Sequence, residues 1–292
     1  MKYTLRHTTR YHYAAPVTLC HSEARVLPRK TPHQECGASS LSIAPLPQHQ
    51  AERRDVFGNR VLYFALEQVH RTLDVTVTTP LNTRALDALP ERSVAWERIA
   101  AQLEADSRFE TQLYRLDSPF IRRSDELAAF ARRCFTPRRP LIEAALALNA
   151  HVHEQFEYDP SFTTLATPLS EVLANRRGVC QDFAHLMIGA LRSIGLSARY
   201  VSGYLETEPP PGQPRLVGAD ASHAWLALWV PEWGWLALDP TNGTLAGERH
   251  PVLAWGRDYF DVAPLKGVMN GGGHHRLEVE VDVVPLATPG TI

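Results

Sequence analysis

The chain has 292 residues, of which 44% are hydrophobic and 21% are charged, and this composition predicts an ordinary soluble globular protein. Its formal net charge of -2 argues against a dedicated nucleic-acid binder and against a protein that uses basic residues to bind membrane surfaces. The four cysteines lie far apart and form no CxxC pair, which argues against a disulfide framework and against a structural zinc site.

The opening segment also bears on location. MKYTLRHTTRYHYAAPV carries charged residues and histidines where a secretory signal peptide needs an unbroken apolar stretch. No run approaches the roughly 18 to 20 apolar residues of a membrane helix. We therefore expect a cytoplasmic protein that does not associate with membranes.

The first 80 residues are predicted to form strands. LSIAPL and RVLYFAL are short apolar runs, and TLDVTVTT alternates apolar and polar residues as a half-buried strand does. Gly58-Asn59, between DVF and RVLYF, predicts a hairpin turn. Together these signals predict a small N-terminal β domain over residues 1–85.

From about residue 90 the apolar period becomes helical. Ser124 is a predicted N-cap, because two acidic residues follow it at the start of SDELAAFARRC. Pro140 precedes the amphipathic segment LIEAALALNAHVHEQF. A third helix is predicted to begin near Cys180 and to end before Gly195.

The remainder of the chain predicts strands, in the segments ARYVSGYL, HAWLALWV, WLALDPT and RLEVEVDVV. This order of elements predicts an α+β fold, with an antiparallel sheet packed on the central helix. The second domain is predicted over residues 86–292, with a helical lead-in at about 90–160, a core at 160–265 and a C-terminal strand segment at 266–292.

Cys180 is the first candidate for chemistry. A lone cysteine on an amphipathic helix is usually a buried core residue. Cys180, however, precedes the apolar stripe of its helix, and Gly178 leaves room for close approach. Unpaired backbone N–H groups and the helix dipole at such a position can lower a cysteine pKa from about 8.5 to roughly 3.5–7.5. The same N–H groups could hold the oxyanion of an acyl intermediate.

A thiolate nucleophile also needs a histidine and a group that orients it. His223 begins one predicted strand and Asp239 ends the next, an even number of positions later. A hairpin register with an even sum places both side chains on one face, whereas an odd sum places them on opposite faces. A loop of Glu232-Trp233-Gly234, with Gly234 in the left-handed region, gives an even sum but staggers the two residues, and a wider loop centred on Pro231 sets them directly opposite each other.

These segments resemble the core of the transglutaminase-like superfamily of papain-like thiol enzymes. The shared pattern is a G-x-C helix start, a G-[IL]-x-[AS]-R-x-V-x-G strand, H-A-W and D-P-T, and all four occur here in order. The N-terminal β region and the tail RDYFDVAPLKGVMNGGGHHRLEVEVDVVPL resemble the bacterial two-part members. The resemblance implies a papain-like core, in which the nucleophile helix packs on an antiparallel sheet behind a small β domain.

The resemblance also implies roles for individual residues. Cys180 is the implied nucleophile, His223 the general base and acid, and Asp239 the orienting group. Tyr158 is a candidate for the oxyanion site, with packing at a helix end as the alternative. Gln181 and Trp225 are weaker candidates: the first follows the nucleophile, and the second shares a face with His223 but is also typical of a core. Because no cluster of acidic ligands for calcium is evident, we expect no cofactor and no metal.

The reaction depends on what resolves the thioester that such a triad forms. Water makes the protein a cysteine peptidase or amidase, and an amine makes it a protein-glutamine transamidase. The triad is the same in both, but the resemblance favours hydrolysis of peptide or isopeptide bonds, with transamidation as the alternative. A non-catalytic peptide-binding module is the alternative of a different class. The expected partners are a peptide or protein substrate and, as for some bacterial members, an ATP-grasp-type ligase.

The loop EPPPGQPRLVGADAS, residues 208–222, leads directly into His223. It is long and rich in Pro and Gly, and long loops beside a catalytic residue are commonly lids or edges of a binding groove. We predict that it borders the acyl-donor groove, with Arg215 and Asp220 as polar contacts. A surface insertion without such a role is the alternative.

Overall fold

A computed structural model describes residues 1–90, 93–165, 167–207 and 222–286 as two antiparallel sheets, a two-stranded parallel sheet and a group of helices. The strands are β1 Lys2–Ala24, β2 Gln34–Cys36, β3 Ser40–Ala44, β4 His49–Arg54, β5 Arg60–Leu66, β6 His70–Thr83, β7 Glu157–Tyr158, β8 Arg177–Gly178, β9 Ala198–Tyr204, β10 Ser222–Val230, β11 Gly234–Asp239, β12 Thr244–Leu245, β13 Val252–Gly256, β14 Leu265–Gly271 and β15 His275–Pro285. The helices are α1 Trp96–Ala105, α2 Phe109–Leu113, α3 Asp125–Arg132, α4 Leu141–Gln155, α5 Leu169–Asn175, α6 Cys180–Ser193 and α7 Tyr259–Val262. The predicted α+β class is confirmed.

The first sheet is organised around the long strand β1. Its first half pairs with β6 and β15, and its second half pairs with β5 and β14. The register with β6 shifts between His12 and Val17, which marks a bulge. Since a bulge bends a strand and increases its twist, one strand can serve several partners in a curled sheet.

The C-terminal strand lies in this first sheet. The predicted RLEVEVDVV strand is observed as β15, and its hydrogen-bonding partner is β1 rather than a strand beside the central helix. Val281 and Val283 are buried at 1% and 0% exposure, whereas Leu277 and Val279 on the same face are 49% and 46% exposed. The reason is that the cluster around Tyr3 covers only one end of the strand. The predicted boundary between the two domains stays a prediction.

The second sheet has the order β12-β11-β10-β9-β13 and packs on α6. The even-numbered residues of β10, such as Leu226 and Leu228, are buried in one core with the apolar stripe of α6. The odd-numbered residues of the same strand, including Trp225 and Ala227, face the other side in a separate cluster. The central helix therefore covers one face of the sheet, as the alternation predicts.

Local signals in the sequence position the ends of the helices. Ser124 caps α3, because its hydroxyl accepts a hydrogen bond from the N–H of Leu127 at 3.2 Å. Gly195 follows the last turn of α6 with φ of +87°, the left-handed conformation that glycine adopts most easily. Gly58, with φ of +75°, lies in the turn between β4 and β5. Each signal acts within a few residues, so the sequence alone is enough to place it.

Polar side chains join the two sheets. Gln34 exchanges two hydrogen bonds of 2.7 Å with the backbone of Val252, and Asn59 donates to the carbonyl of Trp255 at 2.7 Å. Tyr3 donates to the buried Glu206 at 2.8 Å. The N-terminal sheet is thereby fixed against the β9–β13 edge of the second sheet. Throughout the described residues, every helix is too short or too polar to span a membrane.

Candidate active site

The Cys180 thiol lies at the first residue of α6. Val179 before it is extended, with φ of -116° and ψ of 178°, and its carbonyl accepts the first helical hydrogen bond from Phe183 at 3.1 Å. The first N–H groups of a helix have no partner within it, and the helix dipole is positive at this end. The half-buried Cys180 is therefore reachable from solvent and lies where a negative charge on sulfur is favoured.

Asp182 fixes the turn that carries the thiol. Its Oδ2 accepts hydrogen bonds from the N–H of Val179 at 2.8 Å and from the hydroxyl of Thr163 at 2.6 Å. A Cβ at Gly178 would lie 2.9 Å from the Cβ of Asp182, so this contact requires glycine. Burial raises the pKa of Asp182, although both hydrogen bonds oppose that shift. Asp182 therefore caps the helix start.

The hairpin of β10 and β11 brings His223 and Asp239 together. Val230 pairs with Gly234, so the turn is centred on Glu232 and the register has an even sum. The two side chains share a face and are staggered, as expected for the Glu232-Trp233-Gly234 loop, but the observed loop is Pro231-Glu232-Trp233, one residue earlier, and Gly234 is the first residue of β11. His223 Nε2 donates to Asp239 Oδ2 at 2.8 Å, and the residues are 8% and 0% exposed.

The charges of this pair reinforce each other. Burial alone would lower the pKa of His223, but hydrogen bonds and charges from Asp239 and Cys180 raise it to about 9. Burial would raise the pKa of Asp239, but hydrogen bonds led by His223 and His250 hold it well below its ordinary value. Since Nε2 of His223 faces Asp239, Nδ1 is left for the Cys180 thiol. At neutral pH the imidazolium thus interacts with both a carboxylate and the sulfur.

Two residues that the sequence did not point out hold Asp239. Asn242 donates from Nδ2 to Oδ2 of Asp239 at 2.6 Å, and its own N–H and that of Thr241 donate to Oδ1 at 3.2 and 3.0 Å. His250 donates from Nε2 to the same Oδ2 at 3.1 Å. Asn242 could have been found, since a turn directly after Asp239 favours such contacts. His250 follows in an irregular segment without any spacing rule.

His223, Asp239 and His250 also present three ligand atoms that lie within 4.8 Å of one another. These are the atoms that could hold a metal ion. Nδ1 of His250, however, accepts a hydrogen bond from the N–H of Gly247 at 3.2 Å, so its Nε2 carries the proton that Asp239 accepts. The close approach of these atoms is therefore accounted for by hydrogen bonds.

The weaker candidates take different positions around the thiol. Tyr158 pairs with Gly178 across β7 and β8 and is 53% exposed, and burial and the nearby Cys180 raise its pKa. Gln181 is half-buried in the first turn of α6. The buried ring of Trp225 lies 5.9 Å from that of His223 and 5.4 Å from that of His250. Tyr158 and Gln181 thus flank the thiol, and Trp225 supports the two imidazoles.

The loop predicted to border the groove falls almost wholly outside the described residues. Of residues 208–222, only Ser222, the first residue of β10, is described. The proposed contacts of Arg215 and Asp220 therefore stay predictions. Shortening Pro209–Pro214 should change KM for peptides and leave alkylation of Cys180 by a small reagent nearly unchanged.

We expect His250 to act as a positioning residue for Asp239. Replacing His250 with leucine removes one hydrogen bond to a charged group, so kcat should fall about tenfold or more. The pKa of Asp239 should rise, which moves the acidic limb of the pH profile to higher pH. His250→Gln can still donate from its amide and should restore most of the activity. A loss of thermal stability in His250→Leu with an unshifted pH profile would make the role only structural.

Comparisons with known proteins match both parts of the chain. The family described as "Bacterial transglutaminase-like N-terminal region" matches residues 3–81, and the "Transglutaminase-like superfamily" matches residues 128–240. An uncharacterized protein of Mycobacterium tuberculosis is 38% identical over 299 residues, covering 98% of this chain and 93% of that protein.

Two further relatives are informative. A protein-glutamine gamma-glutamyltransferase of Pseudomonas aeruginosa is 36% identical over 132 residues, covering 41% of this chain and 20% of that protein. A crystal structure from Cytophaga hutchinsonii, described as a candidate cysteine protease, superposes with a TM-score of 0.74 at 20% identity, covering 99% of this chain and 92% of that one. At that identity the second likeness shows a shared fold.

Proposed function

Because the chain belongs to the transglutaminase-like superfamily, we propose that it is a thiol-dependent acyl-transfer enzyme with Cys180, His223 and Asp239 as its catalytic triad. The observation that carries the proposal is the buried hydrogen bond of 2.8 Å between His223 and Asp239, and the same imidazole interacts with the thiol of Cys180. This is the arrangement in which a histidine can hold and return the proton of a nucleophile.

The first half of the reaction forms a thioester. The Cys180 sulfur attacks the carbonyl carbon of an amide, and the electron pair of the C=O bond moves to oxygen. The N–H groups of Cys180 and Gln181 at the helix start, with Tyr158 beside Gly178, are the candidate donors to that oxyanion. His223 then donates its proton to the amide nitrogen, the C–N bond breaks, and the amine leaves.

The second half depends on the acceptor. In hydrolysis, neutral His223 takes a proton from water as its oxygen attacks the thioester. The C–S bond breaks, a carboxylic acid leaves and loses its proton to solvent, and the thiolate and imidazolium are restored. We propose hydrolysis of peptide or isopeptide bonds as the main activity. Asp239 holds the imidazole in one orientation through both halves.

Transamidation is the second candidate. An amine then takes the place of water, and the product is a new amide. The observation that favours it is the 36% identity over 132 residues to a protein-glutamine gamma-glutamyltransferase. We propose a peptide or protein as the substrate in either case. An ATP-grasp-type ligase as partner and a cytoplasmic location stay predictions, which co-purification and cell fractionation would test.

Mass spectrometry of a peptide library, with and without an added primary amine, tests both reactions. Hydrolysis gives cleaved or deamidated peptides whether or not amine is present, and transamidation gives adducts of the amine. If neither product forms under any condition, the result favours the non-catalytic peptide-binding module.

Selective alkylation separates an enzyme from that module without a substrate. At about pH 6.5, iodoacetamide should label Cys180 fastest, because His223 supports a thiolate there. Cys20 and Cys134 are buried and Cys36 is half-buried, and burial raises the pKa of Cys36 and Cys134. Peptide mapping of the labelled sites gives the order in which the four cysteines react. Faster labelling of any other cysteine would count against the triad.

A further inference from the structure

A cavity of about 300 Å³ lies on the face of the second sheet that α6 does not cover. The indole rings of Trp225, Trp233, Trp235 and Trp255 form much of its wall. One side is closed by residues 31–34 and by Thr83, Arg84, Leu86 and Asp87. Trp225 and His250 belong both to this wall and to the candidate active site. Among the described residues that line the cavity, Cys180 and Asp239 do not occur, so it is separate from the thiol.

A buried cation lines this apolar cavity. Arg199 is 6% exposed, and its guanidinium carbon lies 4.2 Å from the ring centre of Trp235 and 3.6 Å from that of Trp255. Both rings therefore lie against the guanidinium, and its donors point outward from its edges. Among the described residues, Nε of Arg199 is buried and has no hydrogen-bond partner.

The neighbours of Arg199 offset its charge poorly. The carboxylate recorded beside it is Glu110, whose Oε1 lies 3.7 Å from Nη1 and whose side chain is 61% exposed. The nearby Tyr114 favours the charged guanidinium, whereas the cation of Arg29 disfavours it. A buried charge is unfavourable unless an opposite charge and hydrogen bonds compensate for it. A carboxylate at the part of the guanidinium that lines the cavity would supply both.

We propose that this cavity binds a small aromatic carboxylate, with its ring among the tryptophans and its carboxylate on the edge of Arg199. The volume is at the lower end of the roughly 300–1,000 Å³ of ligand pockets, which suits a molecule with one or two rings. Arg84 and Asp87, which are 65% and 83% exposed, lie at the rim and mark the side from which a ligand enters. The proposal concerns binding alone and does not rest on the proposed function.

Isothermal titration calorimetry with indole-3-acetate tests the proposal on the full chain. We expect one site with a Kd of roughly 1 mM or below, as for a well-placed fragment. Tryptamine has the same ring with a positive charge, and acetate has the carboxylate without the ring. Both should bind at least about tenfold more weakly, because each lacks one half of the recognition. Equal binding of indole-3-acetate and tryptamine would overturn the proposal.

Three variants locate the site. Arg199→Gln should weaken binding of indole-3-acetate about tenfold or more, and Ala246→Leu should abolish it by filling the cavity that Ala246 lines. Arg108→Gln is the matched control, since Arg108 lies over Trp229 outside that lining and should bind as the wild type does. If circular dichroism shows that Arg199→Gln does not fold, Ala246→Leu decides. Unchanged binding by a folded Ala246→Leu would reject the site.

Discussion

Cys180→Ala is expected to abolish turnover of any peptide that the wild-type protein cleaves or transamidates. The variant removes the only atom that forms the thioester in the proposed mechanism, so kcat should fall by about 10⁴-fold or more. The half-buried position of Cys180 means that the free energy of unfolding should change by no more than about 1 kcal/mol. Product formation, followed by mass spectrometry, and chemical denaturation are the two measurements.

The matched control for this loss is Cys36→Ala. Cys36 is also a half-buried cysteine, but it lies on β2 in the N-terminal sheet, and its thiol donates to the carbonyl of Arg29 at 3.3 Å. Activity should survive this change. The Cys180→Ala protein should lose iodoacetamide labelling at about pH 6.5, and the Cys36→Ala protein should keep it. Activity in Cys180→Ala within a few-fold of the wild type would remove the thiol from the mechanism.

The register of the β10–β11 hairpin shows how much of the site could be predicted from the sequence. Strand alternation in HAWLALWV and WLALDPT is a local property, so the even separation of His223 and Asp239 could be found and an even-sum register considered. Whether the pair was opposite or staggered depended on the turn. In the structure Glu232 and Gly234 both have positive φ, at 66° and 109°, and the turn is centred on Glu232. No residue pattern could select that centre in advance.

Contacts between distant segments were beyond local patterns. His250 reaches Asp239 because the segment between β12 and β13 folds back over the hairpin end. β15 pairs with β1, almost the full length of the chain away, and alternation predicts a strand but not its partner. Gly203 lies opposite His223, and a Cβ there would come within 2.5 Å of the Trp225 ring. The sequence supplies this glycine, but only the packing explains it.

Asp239→Asn is expected to keep the fold and to lower kcat by about 10²–10⁴-fold. Oδ2 of Asp239 accepts from His223, Asn242 and His250, and Oδ1 accepts from two backbone N–H groups. An asparagine must place its NH₂ group at one of these two positions. There this hydrogen-bond donor faces another donor instead of accepting from it. If the NH₂ group faces His223, the imidazole loses its orientation. If it faces the backbone, the turn after β11 loses its anchor.

The charge lost in Asp239→Asn makes the effect depend on pH. Asp239 helps to raise the pKa of His223 from 6.5 to about 9, so this pKa should fall in the variant, as NMR titration of the imidazole would show. A raised histidine pKa stabilises the folded state below 6.5, and that stabilisation is lost as the pH rises through about 9. The difference in free energy of unfolding between the wild type and the variant should therefore be largest between about pH 4 and 6.5. In that range an aspartate of the unfolded chain is ionised and a histidine of the unfolded chain is protonated.

Asp261→Asn is the control, because Asp261 is buried but pairs with Arg257 at 2.9 Å outside the site. Asp261→Asn should lower the free energy of unfolding and leave the pH profile of kcat unchanged. If Asp239→Asn also lowers only the stability and leaves the pH profile of kcat unchanged, Asp239 does not belong to the triad.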